Sequence, residues 1–181
     1  MELLYFFLYK LYKKNDPNPF LNIALFYLGI SYVALPFTLM NIIVFDSGSY
    51  SYQILMGLLL IIWASDTGAY FAGSAFGRTK LFERISPKKT WEGLIGGALV
   101  AGGFAIGLSR YYSDLNTIEW LSGAAIVVVA GNYGDLVESL FKRSMSIKDS
   151  GNSIPGHGGF LDRFDSLILS VPFIVVFLKL F

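Results

Sequence analysis

Four polar stretches of this chain carry side chains able to do chemistry. In GDLVESLFKRS (134–144), Asp135, Ser139 and Lys142 stand at i, i+4 and i+7. That spacing puts them on one face of a helix, with Glu138 beside it. A carboxylate, a hydroxyl and an ammonium stacked at a helix end suit a metal–phosphate site; the plainer reading is helix-end charges meeting lipid headgroups. KDSGNSIPGHGG (148–159) adds Lys148, Asp149, Gly158 and Gly159. Glycines let a backbone approach an anion closely and offer it amide groups. No GxxxxGK[ST] pattern is present, so this is not a Walker loop. His157, the only histidine, either contacts a phosphate, donates a proton or is structural. Asp162 and Asp165 stand at i, i+3 where the last helix begins. Helix capping is the simpler role for Asp165, whereas Asp162, beside Arg163, is assigned as a metal ligand. Finally, ISPKKTWEG (85–93) supplies Lys88 and Lys89 with Ser86 and Thr90. These are point charges and hydroxyls suited to a phosphate, or a basic cluster that only meets anionic lipid.

Composition narrows the chemistry. The 181 residues are 54% hydrophobic and 15% charged, with mean hydropathy +0.56. Soluble domains carry about 25% charged residues, so the chain reads as a polytopic membrane protein. A net charge of +1 makes no case for nucleic acid. The absence of cysteine removes disulfides, thiolate catalysis and cysteine-ligated zinc. With one histidine, any metal must sit among oxygen ligands, which points to a hard cation such as Mg²⁺.

The elements that must position these residues are membrane helices. Phe20–Phe45 is uncharged and long enough to cross about 30 Å of hydrocarbon, with a kink expected at Pro36. Tyr52–Gly73 is the second span. It carries Asp66, an intramembrane carboxylate and so a functional candidate. Ser74–Trp91 is expected to be a loop. Gly93–Ser109 is rich in glycine and alanine, which lets helices approach closely and predicts a helix buried in the bundle. Trp120–Glu138 and Phe164–Phe181 are the fourth and fifth spans. Met1–Tyr12 is too short to span, has no secretory pattern, and reads as the tail of a helix whose beginning lies upstream. The expected architecture is an all-α polytopic bundle of about five full transmembrane helices plus a partial N-terminal one, forming a single domain over 1–181. Loops 10–19, 74–91 and 138–164 hold twelve of the fourteen basic residues. The positive-inside rule therefore makes these loops cytoplasmic.

The run Ser139, Lys142-Arg143, Lys148-Asp149, Gly151, Pro155, His157-Gly158-Gly159, Asp162-Arg163, Asp165 resembles the signature of the phosphatidate cytidylyltransferases, or CDP-diacylglycerol synthases. WASDTGAY and ISPKKTWEG resemble further stretches of that family, so the likeness covers roughly residues 60–175. The resemblance implies CMP transfer from CTP to phosphatidic acid, with Mg²⁺ required, at the cytoplasmic face of a bacterial inner membrane. Family members carry more helices upstream, and a homodimer is what the family suggests. Carried onto this sequence, Asp135, Ser139, Lys142, Arg143, Lys148, Asp149, His157 and Arg163 are the expected catalytic residues. Asp66, Lys88, Lys89, Gly158 and Gly159 are expected to hold the nucleotide or lipid phosphate, and Asp135, Asp149 and Asp162 the metal. Asp135 and Asp162, on two antiparallel helices, are expected to converge on Mg²⁺ and a triphosphate. The alternatives are a related CTP-using membrane enzyme with another lipid acceptor, such as an isoprenoid alcohol kinase or an archaeal-type lipid cytidylyltransferase, and a non-catalytic transporter or scaffold.

Overall fold

A computed structural model of the chain describes residues 2–13, 18–45, 48–144, 147, 150–151, 159 and 161–180. Helix α1 (Glu2–Tyr12) packs on the first span through Phe7 and Tyr27, whose ring centroids are 5.8 Å apart. That span is α2 (Pro19–Gly29), a π-helical turn (Ile30–Ala34) and α3 (Leu35–Val44) in unbroken succession. Then come α4 (Gln53–Phe76), α5 (Trp91–Tyr111), α6 (Thr117–Ser144) and α7 (Leu161–Leu180). Among the described residues, four helices are long and apolar enough to cross a membrane: Phe20–Val44, α4, α5 and α6. The all-α polytopic membrane fold is therefore the observed one. The fifth expected span, α7, falls outside that set because its ends are charged. Asp162, Arg163 and Asp165 lie in its opening turns and Lys179 near its end.

The sequence reading missed a small sheet. Residues 74–91 hold an antiparallel hairpin, β1 (Lys80–Phe82) and β2 (Ser86–Thr90), with Lys80 opposite Thr90 and Phe82 opposite Ser86. Strands of three and five residues are too short to show a period. The hairpin is tied to the start of α5, where Glu92 accepts from the amides of Arg78 (3.1 Å) and Thr79 (3.1 Å). Thr90 caps α5 by accepting from Gly93 N–H at 3.1 Å.

Glycine sets the helix spacing. A Cβ on Gly93 would come 2.9 Å from the carbonyl of Ala69, and one on Gly97 2.8 Å from that of Ser65. So α5 lies directly against α4. Only that face is buried, since Ile95, Leu99, Phe104 and Ile106 on α5 are exposed. The expectation of a helix enclosed by the bundle holds for one side only. On α6, Gly123 faces Ile174, Gly131 faces Ser166 and Ser170, and Gly134 faces Asp165 and Leu169. Partner numbers fall as α6 numbers rise, so α6 and α7 run antiparallel. The core between the helices includes Ile43, Leu58, Ile61, Trp120, Val127, Val171 and Ile174.

Both ends of α6 differ from expectation. α6 begins at Thr117 rather than Trp120 because Asn116 and Glu119 form a reciprocal capping box. The Asn116 side chain accepts from Ile118 and Glu119 amides (2.9 and 3.0 Å), and Glu119 accepts from Asn116 N–H (2.7 Å). α6 also runs past Glu138 to Ser144, so Ser139, Lys142 and Arg143 are all helical.

Candidate active site

The close approach at Gly134 is what builds the site. A side chain there would collide with the backbone of Asp165, at 2.5 Å from its carbonyl oxygen. Glycine lets the start of α7 close onto α6 just where Asp135 and Glu138 project. The carboxylates of Asp135, Glu138 and Asp165 consequently lie within 4.8 Å of one another. Glu138 is the most enclosed, at 1% exposure, with Asp135 and Asp165 half-buried.

Two lysines come to this set from different directions. Lys89, at the end of the hairpin, sits 2.7 Å from Asp135 Oδ2 and 3.4 Å from both the carbonyl and the side-chain oxygen of Asn132. Ser139 donates to the other Asp135 oxygen at 3.2 Å. Lys142 lies 2.7 Å from Glu138 Oε2 and 2.5 Å from Asp162 Oδ1. Glu138 Oε1, the other oxygen of that buried carboxylate, has no hydrogen-bond partner among the described residues. Carboxylate oxygens that are close together, buried and short of donors are a donor set suited to a hard divalent cation.

Asp162 is placed differently from expectation. Beyond Lys142, it accepts from the Ser150 amide (3.0 Å), the Ser150 hydroxyl (2.9 Å) and the Gly159 amide (2.8 Å). It anchors the two ends of the segment leading into α7, and it is not part of the three-carboxylate set. The amide of Gly159 is spent on that anchor. Gly159 also has to be glycine, because a Cβ would meet Ser150 and the amide of Gly151.

In front of Asp135 lies a polar cavity of about 410 Å³ between α4, the hairpin, α5 and α6. Asp66, Tyr70, Ser74, Lys88, Lys89 and Asp135 line it. Next to it is an apolar cleft of about 540 Å³ between α5 and α6, walled by Phe82, Trp91, Ile95 and Leu136. The two share Leu81, Leu94 and Asn132. A polar chamber thus lies beside a greasy one at one end of the bundle. Residues of the opposite end pair separately, as in the hydrogen bond from Ser51 to Asp114.

Comparison with known proteins gives the family. The model of the cytidylyltransferase family matches residues 1–181. The chain belongs to the cytidylyltransferase family. A phosphatidate cytidylyltransferase of Haemophilus influenzae is 45% identical over 129 residues, 68% of this chain and 45% of that protein. One from Pseudomonas aeruginosa is 43% identical over 121 residues, 66% of this chain and 45% of that protein. A third, from Rickettsia typhi, is 40% identical over 157 residues, 82% of this chain and 68% of that protein. The chain thus spans less than half the length of the first two relatives.

The structure brings together Asp135, Ser139, Lys89 and, on the cavity wall, Asp66 and Lys88. Lys142 does not extend the Asp135–Ser139 face but turns to Glu138 and Asp162. Arg143 and Arg163 are exposed at the ends of α6 and α7. Lys148, Asp149, His157 and Gly158 lie outside the described residues. Glu138, Asp165 and Asn132 were not singled out as site residues from sequence. Asn132 and Glu138 stand one turn either side of Asp135, and a polar residue one turn from a functional carboxylate is the signal that marks both.

Proposed function

We propose that this chain carries the reaction centre of an enzyme transferring CMP from CTP to phosphatidic acid, releasing pyrophosphate, with Mg²⁺ held by Asp135, Glu138 and Asp165. One observation carries the reading: a three-carboxylate set reaches, through Asp135 and its partner Lys89, the wall of a polar cavity that adjoins an apolar cleft. The printed names of the relatives support the choice of substrates.

In the proposed reaction an oxygen of the lipid phosphate attacks the α-phosphorus of CTP. The bond from that phosphorus to the bridging oxygen of the β-phosphate breaks, and pyrophosphate leaves with the electron pair. No protein nucleophile is required. A bound Mg²⁺ supplies neutralisation of the phosphate charge as it moves to the leaving group. The protein's own share is positioning and screening. Lys88 and Lys89 face the cavity and suit the phosphates of either substrate. Ser139 holds Asp135 in register from one turn along the helix. The hairpin residues Leu81 and Phe82 cover the junction of the two chambers, where a lipid phosphate would be polar-facing and its acyl chain apolar-facing. Twelve of fourteen basic residues in three same-side loops support a cytoplasmic location for the site.

The test is Asp135→Asn in liposomes containing phosphatidic acid, with CTP labelled at the α-phosphate. Label is expected in the lipid phase with the parent chain and Mg²⁺, and to be lost in the variant while the protein remains inserted. Undiminished Mg²⁺-dependent transfer by Asp135→Asn removes the carboxylate set from the chemistry. Transfer of the γ-phosphate instead of CMP replaces this reaction by a kinase.

A further inference from the structure

Asn132 is an odd residue for its place. It lies on α6, a helix long and apolar enough to cross a membrane, directly after the small and apolar run AAIVVVAG (124–131). It is half-buried and lines both the polar cavity and the apolar cleft beside it. An amide in such a place costs free energy unless its polar ends find partners. Both ends do. The NH₂ group donates to the Val128 carbonyl at 2.8 Å, a contact that only the donor end of the amide can make. The side-chain oxygen is thereby left for Lys89, whose Nζ lies 3.4 Å away, and the backbone carbonyl of Asn132 accepts from the same Nζ at 3.4 Å.

Lys89 comes to α6 from the hairpin, and its ammonium has three protons to place. The structure offers it three acceptors from one turn of one helix: Asp135 Oδ2 at 2.7 Å and the two oxygens of Asn132. Asn132 and Asp135 are three residues apart, so they are neighbours on the helix surface. They differ in charge. Asp135 both holds the ammonium and cancels it. The oxygens of Asn132 are neutral, so they orient the ammonium and leave its charge intact. Asp135 also belongs to the three-carboxylate set, and Asn132 does not. The hold that Asn132 has on Lys89 is therefore the part that a cation bound to that set does not contest.

We propose that Asn132 is a positioning residue for the transfer reaction: its two oxygens hold the Lys89 ammonium at the cavity wall without neutralising it, which keeps its charge available to a substrate phosphate. The inference rests on the reading of this cavity as the site of CMP transfer. Position and neutrality are separable by substitution. An aspartate of the same shape would hold the lysine and cancel its charge. A leucine of similar size would leave the charge and release the side-chain hold.

The experiment measures kcat and KM for CTP in liposomes containing phosphatidic acid. It compares the parent chain with Asn132→Leu, Asn132→Asp, Lys89→Ala and the Lys89→Ala/Asn132→Leu pair. Asn132→Leu is expected to raise KM about two- to tenfold, the worth of one hydrogen bond, with kcat within twofold. Asn132→Asp is expected to raise KM at least as much, and part of that rise is expected to vanish at high salt, which screens an added charge. In the Lys89→Ala background Asn132→Leu is expected to change KM less than twofold, because the group it positions is gone. A parent-like KM in Asn132→Leu overturns the inference. So does a rise by the same factor with and without Lys89, which makes Asn132 a packing residue or a direct ligand. A parent-like KM in Asn132→Asp overturns the claim that a neutral hold matters. If the parent chain transfers no CMP, the function reading falls and takes this inference with it. If the parent transfers CMP and the Asn132 variants match it, this inference alone is lost.

Discussion

Gly134→Ala tests whether the α6–α7 approach creates the site or merely accompanies it. The added methyl would lie 2.5 Å from the Asp165 carbonyl oxygen and 3.2 Å from Leu169 Cβ. The first distance is about 0.9 Å short of the 3.4 Å at which ordinary contact begins. The obstacle is backbone of a packed helix, so the start of α7 has to move by about that amount. Overpacking of this kind costs about 1–3 kcal/mol of stability. The functional effect is larger, because the displaced residue is itself Asp165, whose carboxylate lies within 4.8 Å of Asp135 and Glu138. A misplacement of about 1 Å in a reacting constellation costs on the order of 100-fold. CMP transfer in liposomes is therefore expected to fall about 100-fold, with weakened Mn²⁺ binding. Gly123→Ala on the same helix is the control. A methyl there meets Ile174 and Leu58 at 3.9 Å, ordinary contact, and should change activity less than twofold. Parent-like Mn²⁺ affinity and transfer in Gly134→Ala would falsify the claim that this glycine sets the carboxylate geometry. Equal losses in both variants would make the effect one of helix substitution in general.

Two further substitutions separate support from contact. Glu92→Ala removes the acceptor for the Arg78 and Thr79 amides and so loosens the hairpin that carries Lys88 and Lys89; the KM for CTP is expected to rise several-fold with Mn²⁺ affinity unchanged, and an unchanged KM refutes the tether. Asp162→Asn weakens a junction that accepts from Lys142, Ser150 and Gly159. It is expected to lower stability by about 1.5–3 kcal/mol while keeping Mn²⁺ affinity within a few-fold, whereas a loss matching that of Asp135→Asn makes Asp162 a ligand.

Much of this site could be read from residue spacing, and the parts that could not share a physical cause. The Asp135–Ser139 contact is an i, i+4 relation internal to one helix, so sequence alone specifies it. The gathering of Lys88, Lys89 and Asp66 at one end follows from alternation of spans. Choosing between Asp162 and Asp165 requires the rotation of α7 about its own axis. Three residues apart, both reach α6, Asp162 through Lys142 and Asp165 beside Asp135 and Glu138, and the close approach at Gly134 is what brings Asp165 into the set. The Asn116–Glu119 capping box, by contrast, is a local pattern that the sequence displayed and the reading passed over.

The lysines explain how three acids are held together before any cation arrives. Carboxylates about 4.8 Å apart repel by about 3 kcal/mol per pair at an effective dielectric near 20. Lys89 offsets Asp135 and Lys142 offsets Glu138, each at 2.7 Å. Neither is local decoration: one arrives on the hairpin and the other bridges onward to Asp162, the anchor of the segment entering α7. Under the proposed reading, a cation held by the three carboxylates would share Asp135 with Lys89, and Lys89, which also lines the polar cavity, is the lysine placed to meet a substrate phosphate.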